Sequence, residues 1–390
     1  MQCNQFKLKD LLEIKNGTDY RNIEKGTIPV YGSGGYMTSI NKWLYDGESI
    51  LLPRKGTINN IMFVNGKFWT VDTMYWSIIN KQKVVPYYLY NYLKALNFNN
   101  LYTGSTLPSM TNSAYYSIPV NLPSFDNQKK LAHILKIIDK KIELNNQINQ
   151  ELETVTNTLY NYWFIQFDFP DENERPYKSS GGAMVYNEIL KREIPINFEI
   201  IKLKDICEVK SGYPFSSDNY DDNGEYKLIT IKNVQDNYIS SDTDNNIGKI
   251  PNNMPDYCIL KDGDILLSLT GNVGRIGMTF EENLLLNQRV GLLKLKEKSC
   301  HSYIYLTFLS EYFKNTLEKN STGSNQKNLS PVETEKLPII YSKTIMENFE
   351  KRTKPIIDKM INNYKENKRL AILRDFLLPM LMNGQVTVRR

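Results

Sequence analysis

The sequence predicts an α+β protein with an internal two-fold pseudo-repeat: two mostly β globules separated by two long antiparallel coiled-coil helices. Three observations predict it. A motif near the start returns about half a chain later, turn-rich β-type segments alternate with glycine-free helical ones, and a helical stretch closes each copy.

Lys7-Leu8-Lys9-Asp10-Leu11-Leu12-Glu13-Ile14-Lys15-Asn16-Gly17 returns as Lys202-Leu203-Lys204-Asp205-Ile206-Cys207-Glu208-Val209-Lys210-Ser211-Gly212, identical at seven of eleven positions. Further on, Asp46-Gly47-Glu48-Ser49-Ile50-Leu51-Leu52 meets Asp262-Gly263-Asp264-Ile265-Leu266-Leu267. Their Ile-Leu-Leu runs stand 215 residues apart, and that offset aligns Gly56 with Gly271, Asp72 with Asn287 and Tyr88 with Tyr303. Thr103-Gly104-Ser105 meets Thr322-Gly323-Ser324, and Ile137-Ile138-Asp139-Lys140 meets Ile356-Ile357-Asp358-Lys359, both at 219. The growing offset means insertions in the second copy, which loops tolerate. Duplication yields two similar surfaces, and divergence frees them to bind different things.

Residues 1–125 and 196–343 form the globules. Ile28–Tyr31, Ile50–Leu52, Ile61–Val64, Phe68–Val71, Tyr226–Ile231 and Val290–Leu295 read as short strands between turns. Short helices are expected over Pro86–Leu96 and Ser302–Glu318. Residues 126–167 and 344–390 carry the long helices. Ile138, Ile142, Ile148, Leu152, Val155, Leu159 and Tyr162 recur at helical spacing, with a phase slip near Asn145–Asn149. Ile357, Ile361, Tyr364, Leu370, Leu373, Leu377 and Met380 repeat the pattern. Roughly 38 residues give helices of about 57 Å, whose apolar stripes must be covered. Antiparallel pairing would make a dumbbell with the helices as its ruler. Residues 168–195, with Gly, Pro and Ser, read as a polar surface linker.

The 390 residues allow two or three domains. A net charge of +5 and a pI near 8.7 suit a phosphate-bearing partner only weakly. Cys3, Cys207, Cys258 and Cys300 make no C-x-x-C pair and read as reduced structural thiols of a cytoplasmic protein. No signal segment or membrane span is expected. His133 and His301 lack neighbours at metal-ligand spacing and read as ordinary surface residues, so no metal site is expected.

Ile138-Asp139-Lys140-Lys141-Ile142-Glu143-Leu144-Asn145-Asn146-Gln147-Ile148-Asn149, running to Leu159-Tyr160-Asn161-Tyr162-Trp163-Phe164, is the most specific stretch. With the Lys-Leu-Lys-Asp openings, Asp262–Leu267 and Thr322–Leu329, it resembles the DNA-specificity (S) subunit of type I restriction–modification systems, end to end. The resemblance implies a non-catalytic subunit with two target-recognition domains. It would bind a split double-stranded DNA site and two adenine methyltransferase subunits through its helices, with two restriction subunits where these exist. S-adenosylmethionine, ATP and magnesium would then belong to the partners, and this chain would bind no cofactor. One departure is Leu107-Pro108-Ser109 opposite Gln326-Lys327-Asn328, so the two loops are expected to differ in conformation and contacts.

Candidate DNA contacts lie in turns mixing cations, amides and glycine. They are Tyr31, Ser33, Arg54, Lys55, Thr57, Asn59, Ser105 and Thr106 in the first copy. In the second they are Thr270, Asn272, Arg275, Gln288, Arg289, Ser324, Asn325, Gln326 and Lys327, although Asn287–Arg289 can instead close a strand. Arg forks onto guanine and Asn or Gln onto adenine, while Lys and backbone N–H groups hold phosphates. Leu159, Trp163, Phe164, Phe376 and Leu377 exceed what a two-helix seam buries, and are candidates for a methyltransferase docking surface or for packing on the adjacent globule.

Two rivals come from other classes. An adenine methyltransferase needs an Asn/Asp-Pro-Pro-aromatic tetrapeptide, and the chain has no Pro-Pro dipeptide. No phosphate loop or H-E-x-x-H appears either. A coiled-coil scaffold binding only proteins is the alternative, which steep salt dependence of DNA binding would exclude.

Overall fold

The computed structural model describes residues 4–96, 98, 108–323 and 326–382. The chain divides into two units, residues 1–143 with 368–390, and residues 144–367.

In the first unit, strand Asn4–Lys7 pairs antiparallel with Pro119–Leu122. One four-stranded sheet runs in the order Leu12–Lys15, Met74–Ile79, Ser49–Pro53, Met62–Val64. A second runs Gly35–Ile40, Lys25–Gly32, Lys67–Thr70, Tyr45–Asp46, and its two middle strands are parallel. Ser49–Pro53 is buried at every position, as a central strand covered on both faces must be.

The second unit repeats this plan. Glu199–Lys202 pairs with Pro338–Tyr341. One sheet runs Cys207–Ser211, Val290–Leu295, Ile265–Ser268, Ile276–Met278, with Asn237–Tyr238 added at its edge. The other runs Asn246–Ile247, Tyr226–Ile229, Leu284–Leu286, Ile259–Leu260, again with a parallel middle pair.

The repeated opening motif is thereby explained atom by atom. The Asp10 carboxylate accepts from Lys7 N at 2.9 Å, and Asp205 accepts from Lys202 N at 2.9 Å. Leu8 N donates to Ile118 O and Leu203 N to Leu337 O, each at 2.9 Å, burying both leucines completely. The motif's last residue is glycine for want of room. A Cβ on Gly17 would stand 2.0 Å from Val71 O, and one on Gly212 would stand 2.3 Å from Leu286 O. Thr18 N donates to Thr70 O and Tyr213 N to Leu286 O, both at 2.9 Å, so the sheets equate Val71, not Asp72, with Asn287.

The long helices are Phe125–Tyr160, followed by a π turn over Asn161–Ile165, and Lys343–Met382, which runs through Pro355. Within the first unit Arg374 Nη1 meets Asp139 Oδ1 at 2.8 Å, and Tyr87 donates to the other oxygen of the same carboxylate. Within the second unit the phase slip becomes a polar layer. Asn149 donates to Met360 O at 3.2 Å, and Asn145 donates to Glu366 and Asn367 at 2.8 and 2.9 Å. Asn145, Asn149 and Asn363 are almost wholly buried. Such a layer favours one register, because a slip strands the amides.

Two expectations change. The helix expected over Ser302–Glu318 is two, His301–Leu309 and Glu311–Lys319. Ser310 breaks it by taking an extended backbone and capping the second piece through its hydroxyl, which accepts from Phe313 N at 3.3 Å. The polar linker carries structure of its own. Asp168 accepts from Ser179 N at 2.7 Å and its hydroxyl at 2.6 Å, Phe169 stacks on Tyr177, and Met184–Asn187 pairs with Arg192–Pro195. His301 is half-buried, its Nε2 hydrogen-bonded with Gly263 O at 2.8 Å, whereas His133 is exposed. Cys207, Cys258 and Cys300 are free and buried, and burial first of all pushes the Cys207 and Cys300 thiols up to about 12.

Candidate nucleic-acid interface

In the first unit the strand end at Pro53 delivers residues 54–60 into a turn anchored by buried Ile58. Arg54 lies over the Tyr75 ring at 5.9 Å, and its N–H donates to Thr73 O at 2.8 Å. Lys55, Thr57 and Asn59 are exposed. Asn60 donates to Ser33 O at 2.8 Å, bringing the Tyr31–Tyr36 hairpin turn against this loop. Gly56 has a positive φ of 84° and would place a Cβ 3.2 Å from the Ser33 hydroxyl. Ser33, Arg54, Lys55, Thr57 and Asn59 are thus neighbours, whereas the Tyr31 ring is half-buried against Leu51, Phe68 and Met74. Ser105 and Thr106 lie outside the described residues.

In the second unit the corresponding loop follows Ser268. Ser268 Oγ donates to Asn272 O and accepts from Arg275 N at 3.0 Å, while Gly274 N donates to Ser268 O at 3.1 Å. This serine ties both limbs of the loop to the sheet. Asn272, Arg275, Gln326 and Lys327 come together around a cleft of about 640 Å³, which Asp236, Lys314 and Glu318 also line. Arg275 Nη1 donates to Gln235 Oε1 at 3.3 Å, and its Nε lies 4.0 Å from Asp236 Oδ2. Lys314 pairs with Asp236 Oδ1 at 3.2 Å, and Lys327 with Glu318 at 3.3 Å. Thr270 is half-buried at the loop's root. Gln288 and Arg289 have exposed side chains, but their backbone closes the sheet: Gln288 N donates to Tyr213 O and Leu269 N to Arg289 O. Ser324 and Asn325 lie outside the described residues.

Where both facing loops are described they share two backbone contacts, although their side chains differ. Gly56 N donates to Pro108 O at 3.0 Å, and Gly271 N to Lys327 O at 3.0 Å. Lys55 and Ser109 form an antiparallel bridge, as do Thr270 and Asn328. A donated N–H and an accepting carbonyl need no particular side chain, so one frame carries two different sets. Gln235, Asp236, Lys314 and Glu318 escaped the sequence reading. Gln235 and Asp236 lie far from the loop in sequence, and Lys314 and Glu318 sit on an ordinary amphipathic helix.

The docking candidates divide. Trp163 and Phe164 are 3% and 0% exposed in the second unit's core, against Phe349, Tyr303 and Phe198. They are therefore corrected from docking surface to core. Leu159 packs on the same core. In the first unit Leu377 packs inward while Phe376 is 64% exposed, beside exposed Ile372 and Leu373. Among the described residues no three His, Cys, Asp or Glu side chains are placed to hold a metal, and no helix is long and apolar enough to cross a membrane.

Two copies of one β frame, each displaying its own set of cations and amides, define a protein with two related recognition surfaces. The chain matches the type I restriction modification DNA specificity domain over residues 2–154 and 195–365, and it belongs to that family, as a non-catalytic DNA-specificity subunit. It is 28% identical to the MjaIX specificity subunit of Methanocaldococcus jannaschii over 357 residues, covering 88% of this chain and 79% of the relative. It is 26% identical to the HindI specificity subunit of Haemophilus influenzae over 334 residues, covering 72% of each. The crystal structure of the S subunit from M. genitalium shares the fold, with a TM-score of 0.63 at 16% identity over 98% of this chain and 96% of that one.

Proposed function

We propose that this specificity subunit reads a two-part, gapped site in double-stranded DNA, one part by each unit, and recruits two adenine methyltransferase subunits. Restriction subunits join where they are present. S-adenosylmethionine, and ATP with magnesium for restriction, would be held by those partners.

The observation carrying this reading is the shared loop frame with unlike side chains. Arg54, Lys55, Thr57 and Asn59 stand on one copy, and Asn272, Arg275, Gln326 and Lys327 on the other. The first set joins cations suited to phosphate to an amide that can read a base, and the second joins amides to a guanidinium that can do so. The exposed Ile372, Leu373 and Phe376 offer an apolar strip for a partner helix.

The test is single-molecule mapping of N6-methyladenine in cells expressing this chain with its methyltransferase. The expected result is a two-part motif that vanishes when this chain is omitted. A stable complex that methylates no such motif would overturn the proposal. DNA binding by the purified chain alone should be weak and fall steeply with salt.

A further inference from the structure

Resting on the proposed function, we propose that Asp236 is a specificity-determining positioning residue: with Gln235 it aims the Arg275 guanidinium at a guanine edge in the second half-site. The cleft is built unlike a phosphate clamp. Its cations Arg275, Lys314 and Lys327 stand among two carboxylates, and each lies within 4.0 Å of one. A phosphate entering here would meet Asp236 and Glu318 at close range, and like charges repel most where water is scarce. A base edge carries no net charge and meets no such penalty. The first unit's loop is different: residues 54–60 contain two cations and no acid, a composition suited to phosphate.

The geometry holds Arg275 from both ends. Its backbone is fixed by Ser268, through Arg275 N to Ser268 Oγ at 3.0 Å and Ser268 N to Arg275 O at 2.9 Å. Its side chain is hydrogen-bonded by Gln235 and lies 4.0 Å from the Asp236 carboxylate. Gln235 cannot turn freely, because its Nε2 donates to Lys232 O at 2.6 Å and its N to Tyr238 O at 3.1 Å, leaving Oε1 for Arg275 Nη1. Asp236 divides its two oxygens between Lys314 and Arg275. Among the described residues Nη2 has no acceptor, so its N–H groups remain to donate in a side chain that lines the cleft. Donors side by side match adjacent acceptors, which guanine offers as O6 and N7. Adenine puts an amino donor in place of O6 and is mismatched. A pre-held arginine loses less freedom on binding, so the fork discriminates better than a loose one.

The experiment is methylation mapping of the complex with wild-type chain, D236A, D236N and R275A, together with the salt dependence of DNA binding. Asp236 is mostly exposed, so D236A should fold, and a thermal melt checks it. The wild type should require guanine at one position of the second half-site. D236A should relax that position by on the order of tenfold, leaving the first half-site and the salt slope unchanged. D236N, which keeps an acceptor oxygen, should fall between, and R275A should lose the same position. If D236A leaves every position as strict as the wild type, or R275A weakens all sequences alike with a shallower salt slope, the inference is overturned and Arg275 is a phosphate contact. If the wild type shows no two-part motif, it is the proposed function that fails.

Discussion

The side-chain amide of Asn363 donates to the Asn149 oxygen at 2.7 Å across the helix pair of the second unit, with both residues buried. Asn363→Ala leaves the Asn149 oxygen without this donor and should cost about 1–3 kcal/mol, the penalty of an unsatisfied buried group. Asn149→Leu combined with Asn363→Leu should recover most of that loss. Urea unfolding of Asn149→Leu, Asn363→Leu and the double, beside Asn363→Ala, measures it. A double variant less stable than the sum of its singles would show that shape, not the polar pair, governs this layer.

Glu153 gives a pH signature. Burial, its main cause, raises its carboxyl above the ordinary range, with the Tyr364 hydroxyl bond at 3.2 Å acting the other way. A raised folded-state pKa means that the folded protein holds this proton more tightly than the unfolded chain. The associated stability is complete below the unfolded value near 4.5 and is lost as pH rises through the folded value. Glu153→Gln mimics the protonated form, so it should exceed the wild type in stability at pH 7 and lose that advantage toward pH 4. Denaturant midpoints at the two pH values decide it.

Glycine substitutions separate frame from surface. Gly17→Ala and Gly212→Ala drive a methyl into backbone carbonyls and should each cost at least about 2 kcal/mol. Gly34 faces open space, and Gly34→Ala should stay within about 0.5 kcal/mol. Thermal melts of the three variants provide the comparison.

Trp163 and Phe376 should behave oppositely. Trp163→Ala empties a core site and should cost about 3–5 kcal/mol. Phe376→Ala removes an exposed ring and should leave the melt nearly unchanged while lowering co-purification with the methyltransferase. Full retention of the partner by Phe376→Ala together with Leu373→Ala would exclude this strip as the docking face.

The repeat and the long helices were legible because periodic burial leaves its period in the sequence, from Ile138 in the first to Ile357 in the second. Strand positions were legible for the same reason. Pairing was not: the parallel partnership of Val30 with Trp69 joins segments that no turn connects. Trp163 shows the limit of composition, since a large apolar residue beyond a helix stripe fits a core and a docking face equally well. Arg275 was found by type within a loop, but Gln235 and Asp236, which hold it, sit in a stretch the first copy lacks.

The first strand of each repeat lies hydrogen-bonded beside its last, Lys7 opposite Pro119 and Lys202 opposite Pro338. Entry and exit of each globule are therefore neighbours, and a segment whose ends meet can be cut out and replaced without redirecting the chain on either side. Each globule is in this sense a cassette. Recombination at the two shared borders could trade one reader while the other and the helices stay in place. On the proposed function, exchanging one cassette would change one part of the site and leave the other as it was.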